Sequence, residues 1–261
     1  MEHYQLQLAV TAGELLLKSG GEISRVELTT ELMAKKMGAH RVDCFVIPTG
    51  IIASIEIESD TYTFVRRIYD RGYNLKAVIE INELSRKFCS GELLLLDLAA
   101  RLDEIAAPLQ LTRSMEWKLA VATGFGALAF SFVLGLRSPY ALFCATFNGF
   151  AVRRITDIIT KRGKLPEAMV VFISSALLTL LTLCYPGLDT PEQNMVNLGG
   201  LFMLLPGVTL STSFREMAGG DLLSGISRLT EAVFVLTMIA AGVISGYTLM
   251  QYLQEVMQLW Q

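Results

Sequence analysis

Histidine is nearly missing from this chain: His3 and His40 are the two in 261 residues. That leaves little from which to build a Ser-His or Cys-His nucleophilic arrangement. Cysteine is almost as sparse. Cys44, Cys89, Cys144 and Cys184 stand far apart, with no CxxC pair and no histidine beside them, so no metal-ligand pattern exists. Cys144 and Cys184 fall in apolar runs and read as small packed side chains. The sequence lacks GxSxG, HExxH, GxxxxGK(S/T) and GxGxxG, which disfavours a hydrolase and an ATP-driven pump. The expectation is a protein that is not an enzyme, with no catalytic residues, metal or cofactor. Excess positive charge is absent too: 22 Lys and Arg face 25 Asp and Glu, which offers no general attraction for nucleic acid. The N-terminus carries Glu2 and Glu14 and no basic segment ahead of its apolar residues. It does not resemble a signal peptide, so this end is expected in the cytoplasm.

What is abundant is apolar sequence. The chain is 52% hydrophobic, with a mean hydropathy of +0.46, high for a water-soluble protein. Charge is unevenly placed. Residues 1–116 hold 13 Lys and Arg and 17 Asp and Glu, whereas residues 117–261 hold 9 and 8. The asymmetry predicts a small cytoplasmic α+β domain at 1–112 and an all-α bundle of about five transmembrane helices at 113–261.

In the first part, apolar spacing predicts helices at Tyr4–Lys18 and Glu22–Met37, with Gly38 as a stop. The period then changes. Val42–Ile47 and Ile51–Ile57 read as strands joined across Pro48-Thr49-Gly50, Thr61–Ile68 as a third, and Leu75–Ile79 as a possible fourth. Helices return at Ile81–Phe88 and Glu92–Ala107, the latter ended by Pro108.

Five apolar runs follow: Trp117–Leu136, Pro139–Val152, Ala168–Tyr185, Met195–Leu210 and Ile226–Leu249. A crossing needs about 20 residues, so the second and fourth are short or broken. Tyr140, Tyr185, Tyr247, Tyr252, Trp117 and Trp260 lie near proposed ends, as an aromatic belt would. Arg153, Arg154, Lys161, Arg162 and Lys164 crowd the connection after the second run, and Arg215 and Arg228 precede the fifth. The opposite connections carry Arg137, Asp189 and Glu192. The positive-inside rule then places the first part and the basic loops in the cytoplasm, in a multi-pass protein of the inner cell membrane.

Three features of the apolar part could carry chemistry. Asn148 interrupts the second run beside Thr146 and Gly149; it suits a substrate hydrogen bond or helix packing equally. Pro206-Gly207 breaks the fourth run, and Thr209, Ser211, Thr212 and Ser213 follow. A helix restarting there would aim backbone N–H groups at an anion, with the hydroxyls capping it or meeting a ligand. A simple proline kink into a loop is the alternative. Third come Arg215, Glu216, Asp221, Arg228 and Glu231, ionisable groups in or against a membrane, which are functional or paired. Glu231 could couple a proton, or pair with Arg228 at i+3.

Four short strings resemble one known family. GGEISRVE (20–27), PTG (48–50), LLPG (204–207) and GD…SG…R (220–228) are together similar to the ThrE-type threonine/serine exporters, in the form of the YjjP-like subunit. The pattern touches Gly20, Glu22, Arg25, Glu27, Thr49, Gly50, Pro206, Gly207, Gly220, Gly225 and Arg228; where Gly21 stands the family usually has Ala. Apart from the resemblance, Glu22, Arg25 and Glu27 read as a solvated helix face. The resemblance implies a cytoplasmic head, about five spans, and a smaller YjjB-like membrane subunit as partner in an oligomeric assembly. It implies export of threonine and serine, with succinate or another dicarboxylate as the alternative, and the lack of a nucleotide motif points to an ion gradient as the driver. A membrane-anchored scaffold whose head senses a ligand is the reading from a different class. An amino acid needs an acceptor for its ammonium, such as Glu216 or Glu231. A dicarboxylate would prefer a second cation such as Arg153, Arg215 or Arg228.

Overall fold

A computed structural model describes residues 2–69, 71–107, 112–162 and 165–259. Pro108, Lys164 and Trp260 lie outside the described residues. The chain divides by its internal contacts into two units, Met1–Leu109 with Thr209–Leu229, and Gln110–Val208 with Thr230–Gln261. Residues 209–229 thus group with the N-terminal part of the chain.

In the first unit, helices α1 (Glu2–Lys18) and α2 (Ile23–Lys36) precede strands β1 (Arg41–Ile47), β2 (Gly50–Ile57) and β3 (Asp60–Arg67). The strands form an antiparallel meander in the order β1-β2-β3, with Val46 opposite Ile51 and Ala53 opposite Phe64. These four residues and Ile55 are buried with Leu6, Val10, Leu16, Ile23, Val26 and Met33 of the two helices, as a half-buried sheet requires.

Helix α3 (Leu75–Ser90) occupies the place of the expected fourth strand. Asn74 accepts a hydrogen bond from the Ala77 N–H at 3.2 Å, an N-cap that starts the helix. Ala77, Ile81, Leu84 and Phe88 are the buried face, at helical spacing. Leu75 and Ile79, which suggested a strand, point outward. Helix α4 (Leu95–Ala106) buries Leu98 and Leu102 on the same core.

The second unit holds α5 (Arg113–Val133), α6 (Pro139–Arg162), α7 (Glu167–Leu183) and α8 (Thr190–Leu201) with a 3₁₀ turn, Phe202–Leu204. Helix α9 (Gly207–Ala218) and the 38-residue α10 (Leu222–Leu259) contribute residues to both units. Close approach sets the packing. A β carbon on Gly199 would sit 1.9 Å from the Ser131 hydroxyl and 3.0 Å from the Ala127 carbonyl, so α8 meets α5 at a close approach that glycine permits.

One described helix is long and apolar enough to cross a bilayer by itself, Leu222–Gln258, with a mean hydropathy of 2.0. Thr190–Leu204 and Gly207–Ala218 qualify together as a broken span, and α7 is apolar over 17 residues. Helix α5 opens with Arg113, Glu116 and Lys118. Helix α6 extends past the expected Val152 to include Arg153, Arg154, Asp157 and Lys161. Those charges keep both below the composition of a freestanding span, so five independent crossings are not what the helices themselves display. The break in the fourth run is present. Leu205 is extended (φ −67°, ψ 132°), and α9 begins at Gly207 directly after Pro206.

Candidate functional site

The residues singled out in the sequence fall into two groups, one in each unit. Asn148, Pro206, Gly207 and Glu231 belong to the second unit, and Thr209, Ser211, Thr212, Arg215, Glu216, Asp221 and Arg228 to the first.

In the second unit, Asn148 is fully buried on α6. Its Nδ2 donates to Thr182 Oγ1 on α7 at 2.7 Å, and its Oδ1 accepts from the Tyr185 hydroxyl at 2.8 Å. On α8, Asn197 Nδ2 donates to Thr179 Oγ1 at 3.2 Å, and Asn197 Oδ1 lies 3.5 Å from the Thr182 hydroxyl. Thr179 and Thr182 also donate to the carbonyls of Ser175 and Leu178, so α7 restrains its own hydroxyls. The result is a chain of two amides and three hydroxyls joining three helices, with no ionisable carboxylate or cation in it. Such a network is costly if partly satisfied and rigid if complete. Thr179, Thr182 and Asn197 went unremarked in the sequence, and Tyr185 was read there only as part of an aromatic belt. The signal for them is polar residues in apolar runs, threonines three apart on α7 and an asparagine two before Gly199.

The break beside this unit is open around its glycine: a β carbon on Gly207 would meet nothing within 4 Å. In the basic connection, Arg153, Arg154 and Lys161 are paired. Glu116, buried at the start of α5, holds Lys161 and lies 3.9 Å from Arg154, whose guanidinium stacks over Trp117 at 4.6 Å. Arg153 pairs with Asp157 at 3.2 Å.

In the first unit the post-break charges meet the head motif. Arg215 pairs with Glu22, the residue before α2, at 2.6 Å. Thr209 and Tyr73 share a hydrogen bond of 2.9 Å. Glu216 and Arg228 form a buried ion pair, Nε donating to Oε2 at 3.0 Å, with both residues about 5% exposed or less. The α9–α10 turn has a physical reason for its glycines. Gly220 takes φ +97°, and a β carbon on Gly225 would stand 2.8 Å from the Ser213 carbonyl. Glu27 accepts from the Val46 N–H at 3.1 Å, tying α2 to β1. Burial raises its pKa above the ordinary carboxylate value, the Val46 N–H opposes this, and Asp221 adds to it. Burial likewise pushes the Cys44 thiol up to about 12. Glu22 and Glu27 are thus structural partners, while Arg25 stays exposed.

Two polar centres, one neutral and one charged, sit in a chain with long apolar helices and no metal-holding cluster among the described residues. A family model described as "Putative threonine/serine exporter" matches residues 7–250. The chain belongs to this exporter family. Its relatives are transport proteins and not enzymes. A "Probable succinate transporter subunit YjjP" of Escherichia coli is 20% identical over 245 residues, covering 93% of each chain. The protein of the same name in Klebsiella aerogenes is 21% identical with the same coverage. A "Probable threonine/serine exporter" of Mycobacterium tuberculosis is 25% identical over 92% of this chain, which spans 45% of that longer protein. No solved structure matches.

Proposed function

We propose that the chain is one subunit of a secondary-active exporter of small carboxylate-bearing metabolites, threonine and serine first among them. It lies in the inner cell membrane with its head in the cytoplasm and works in an oligomer with a smaller YjjB-like subunit. The observation that carries the reading is the buried, charge-free network of Asn148, Thr179, Thr182, Tyr185 and Asn197 in a member of an exporter family. Amides and hydroxyls can exchange hydrogen bonds with a zwitterion or a side-chain hydroxyl without desolvating a fixed charge. The open Pro206-Gly207 break beside it offers backbone groups to a carboxylate.

Export of succinate is the second reading, favoured by the names of the two relatives matched over nearly full length. Against it, each cation that a second carboxylate would seek is already committed. Arg153 holds Asp157, Arg215 holds Glu22 and Arg228 holds Glu216.

Counterflow in proteoliposomes, with the partner subunit present, tests both. Threonine and serine exchange is expected to fall roughly tenfold or more in Asn148→Ala and Asn197→Ala, the loss of about one buried hydrogen bond or two. Variants that unfold like the parent and exchange all three metabolites at parental rates would remove the network from the substrate path. Exchange of succinate alone would select the second reading.

A further inference from the structure

We infer that Glu216 is a proton-binding site, and that a proton on its Oε1 releases Arg228. The inference deepens the exporter reading, and rests on it for any part the site plays in transport. The geometry is that of a carboxylate held by one oxygen. Oε2 accepts from Arg228 Nε at 3.0 Å, while Oε1 is buried with no hydrogen-bond partner. An ionised acceptor left in that condition is costly, and a proton is the smallest ligand that removes the cost.

The surroundings say which ligand fits. A metal ion would need several oxygen ligands and would lie against the Arg228 guanidinium, whereas a proton needs one oxygen and little space. The other groups that bear on the carboxyl are Asp221 in the α9–α10 turn and the backbone N–H of Ile23, first residue of α2. The Ile23 N–H, a hydrogen-bond donor to the carboxyl, opposes the like charge of Asp221. The backbone of Asp221 is fixed, since its N–H donates to the Glu216 carbonyl at 2.9 Å. Water lies one residue away: Arg215 is exposed and its partner Glu22 half-exposed. The step is therefore simple. A proton passes from water to Oε1, Glu216 becomes neutral, and Arg228 keeps its charge without a counter-ion. A bond that joined two opposite charges becomes one between a cation and a neutral acid, and the α9–α10 turn loses its charged tie.

The experiment uses the purified full chain in detergent, by infrared difference spectroscopy and hydrogen exchange between neutral and mildly acidic pH. The parent is expected to gain a buried carboxylic-acid band on acidification, and Glu216→Gln to lack it. Exchange of α9 and early α10 amides should accelerate roughly tenfold or more in the parent on acidification, and be fast at both pH values in Glu216→Gln. Should that variant fail to fold, Glu216→Asp serves, with a shifted midpoint expected. A band that persists in Glu216→Gln, a midpoint unmoved in Glu216→Asp, or a parent with no acid-induced change would overturn the assignment. None of these readouts requires transport, so their failure is distinct from failure of the counterflow test.

Discussion

The two units solve the problem of buried polarity in opposite ways. The first closes the Glu216–Arg228 pair inside its core and sets the second pair, Arg215–Glu22, at its surface. The second buries amides and hydroxyls across α6, α7 and α8 and gathers Glu116, Arg154 and Lys161 in a separate charged cluster between α5 and α6. The lesson is one of magnitude. A neutral hydrogen bond that loses a partner costs about 1–3 kcal/mol, and a buried charge that loses its counter-ion about 3–5 kcal/mol. Charge therefore makes the first unit's tie strong but brittle, while neutrality lets the second rearrange in small steps.

The largest effect that would break this comparison concerns Arg228. Arg228→Ala is expected to destabilise the full chain by about 3–5 kcal/mol, because the buried Glu216 carboxyl loses its counter-ion. The pair replaced together, Glu216→Leu with Arg228→Met, should recover most of that. Thermal unfolding in detergent decides it: equal losses in the single and double variants would mean the charges are not what holds the turn. Next in size is Gly225→Val. Its β carbon would meet the Ser213 carbonyl, which cannot yield, at a cost of about 1–3 kcal/mol. Gly207→Ala, in open space, is expected within about 0.5 kcal/mol of the parent. The same melting curves check both, and reversed ranks would refute the packing described.

The smallest effect sharpens the electrostatics of the head. Glu27 holds its proton to higher pH when folded than when unfolded, so the stability it lends is present below the unfolded value and lost as pH rises through the folded one. Glu27→Gln keeps an acceptor for the Val46 N–H. It should melt slightly later than the parent at pH 7, by well under about 1 kcal/mol given the partial exposure, and match it near pH 4. A parent more stable than the variant at pH 7 would reverse the sign.

Much of the head was legible because alternation and helical spacing are local signals. The β1–β2 hairpin across Pro48-Thr49-Gly50 and the two leading helices fall where the apolar residues place them. Leu75–Ile79 misled because an exposed apolar stretch mimics a strand, and only the buried residues at 77, 81, 84 and 88 carry the period. In the apolar part, Asn148 was visible as one polar residue in an apolar run. Its partners Thr182 and Tyr185 were not, since they meet it only through tertiary packing, as Thr179 and Asn197 meet one another. The return of 209–229 to the head was hidden for the same reason: Glu22 and Arg215 are almost two hundred residues apart, and nothing in the composition of either stretch names the other.

The network around Asn148 has a consequence for how acidity could be felt. Carboxamides and threonine hydroxyls neither gain nor lose protons in the physiological range, and an ordinary phenol ionises only near pH 10. The hydrogen bonds linking α6, α7 and α8 are thus deaf to acidity across that range, and any response of this chain to pH must enter through other groups.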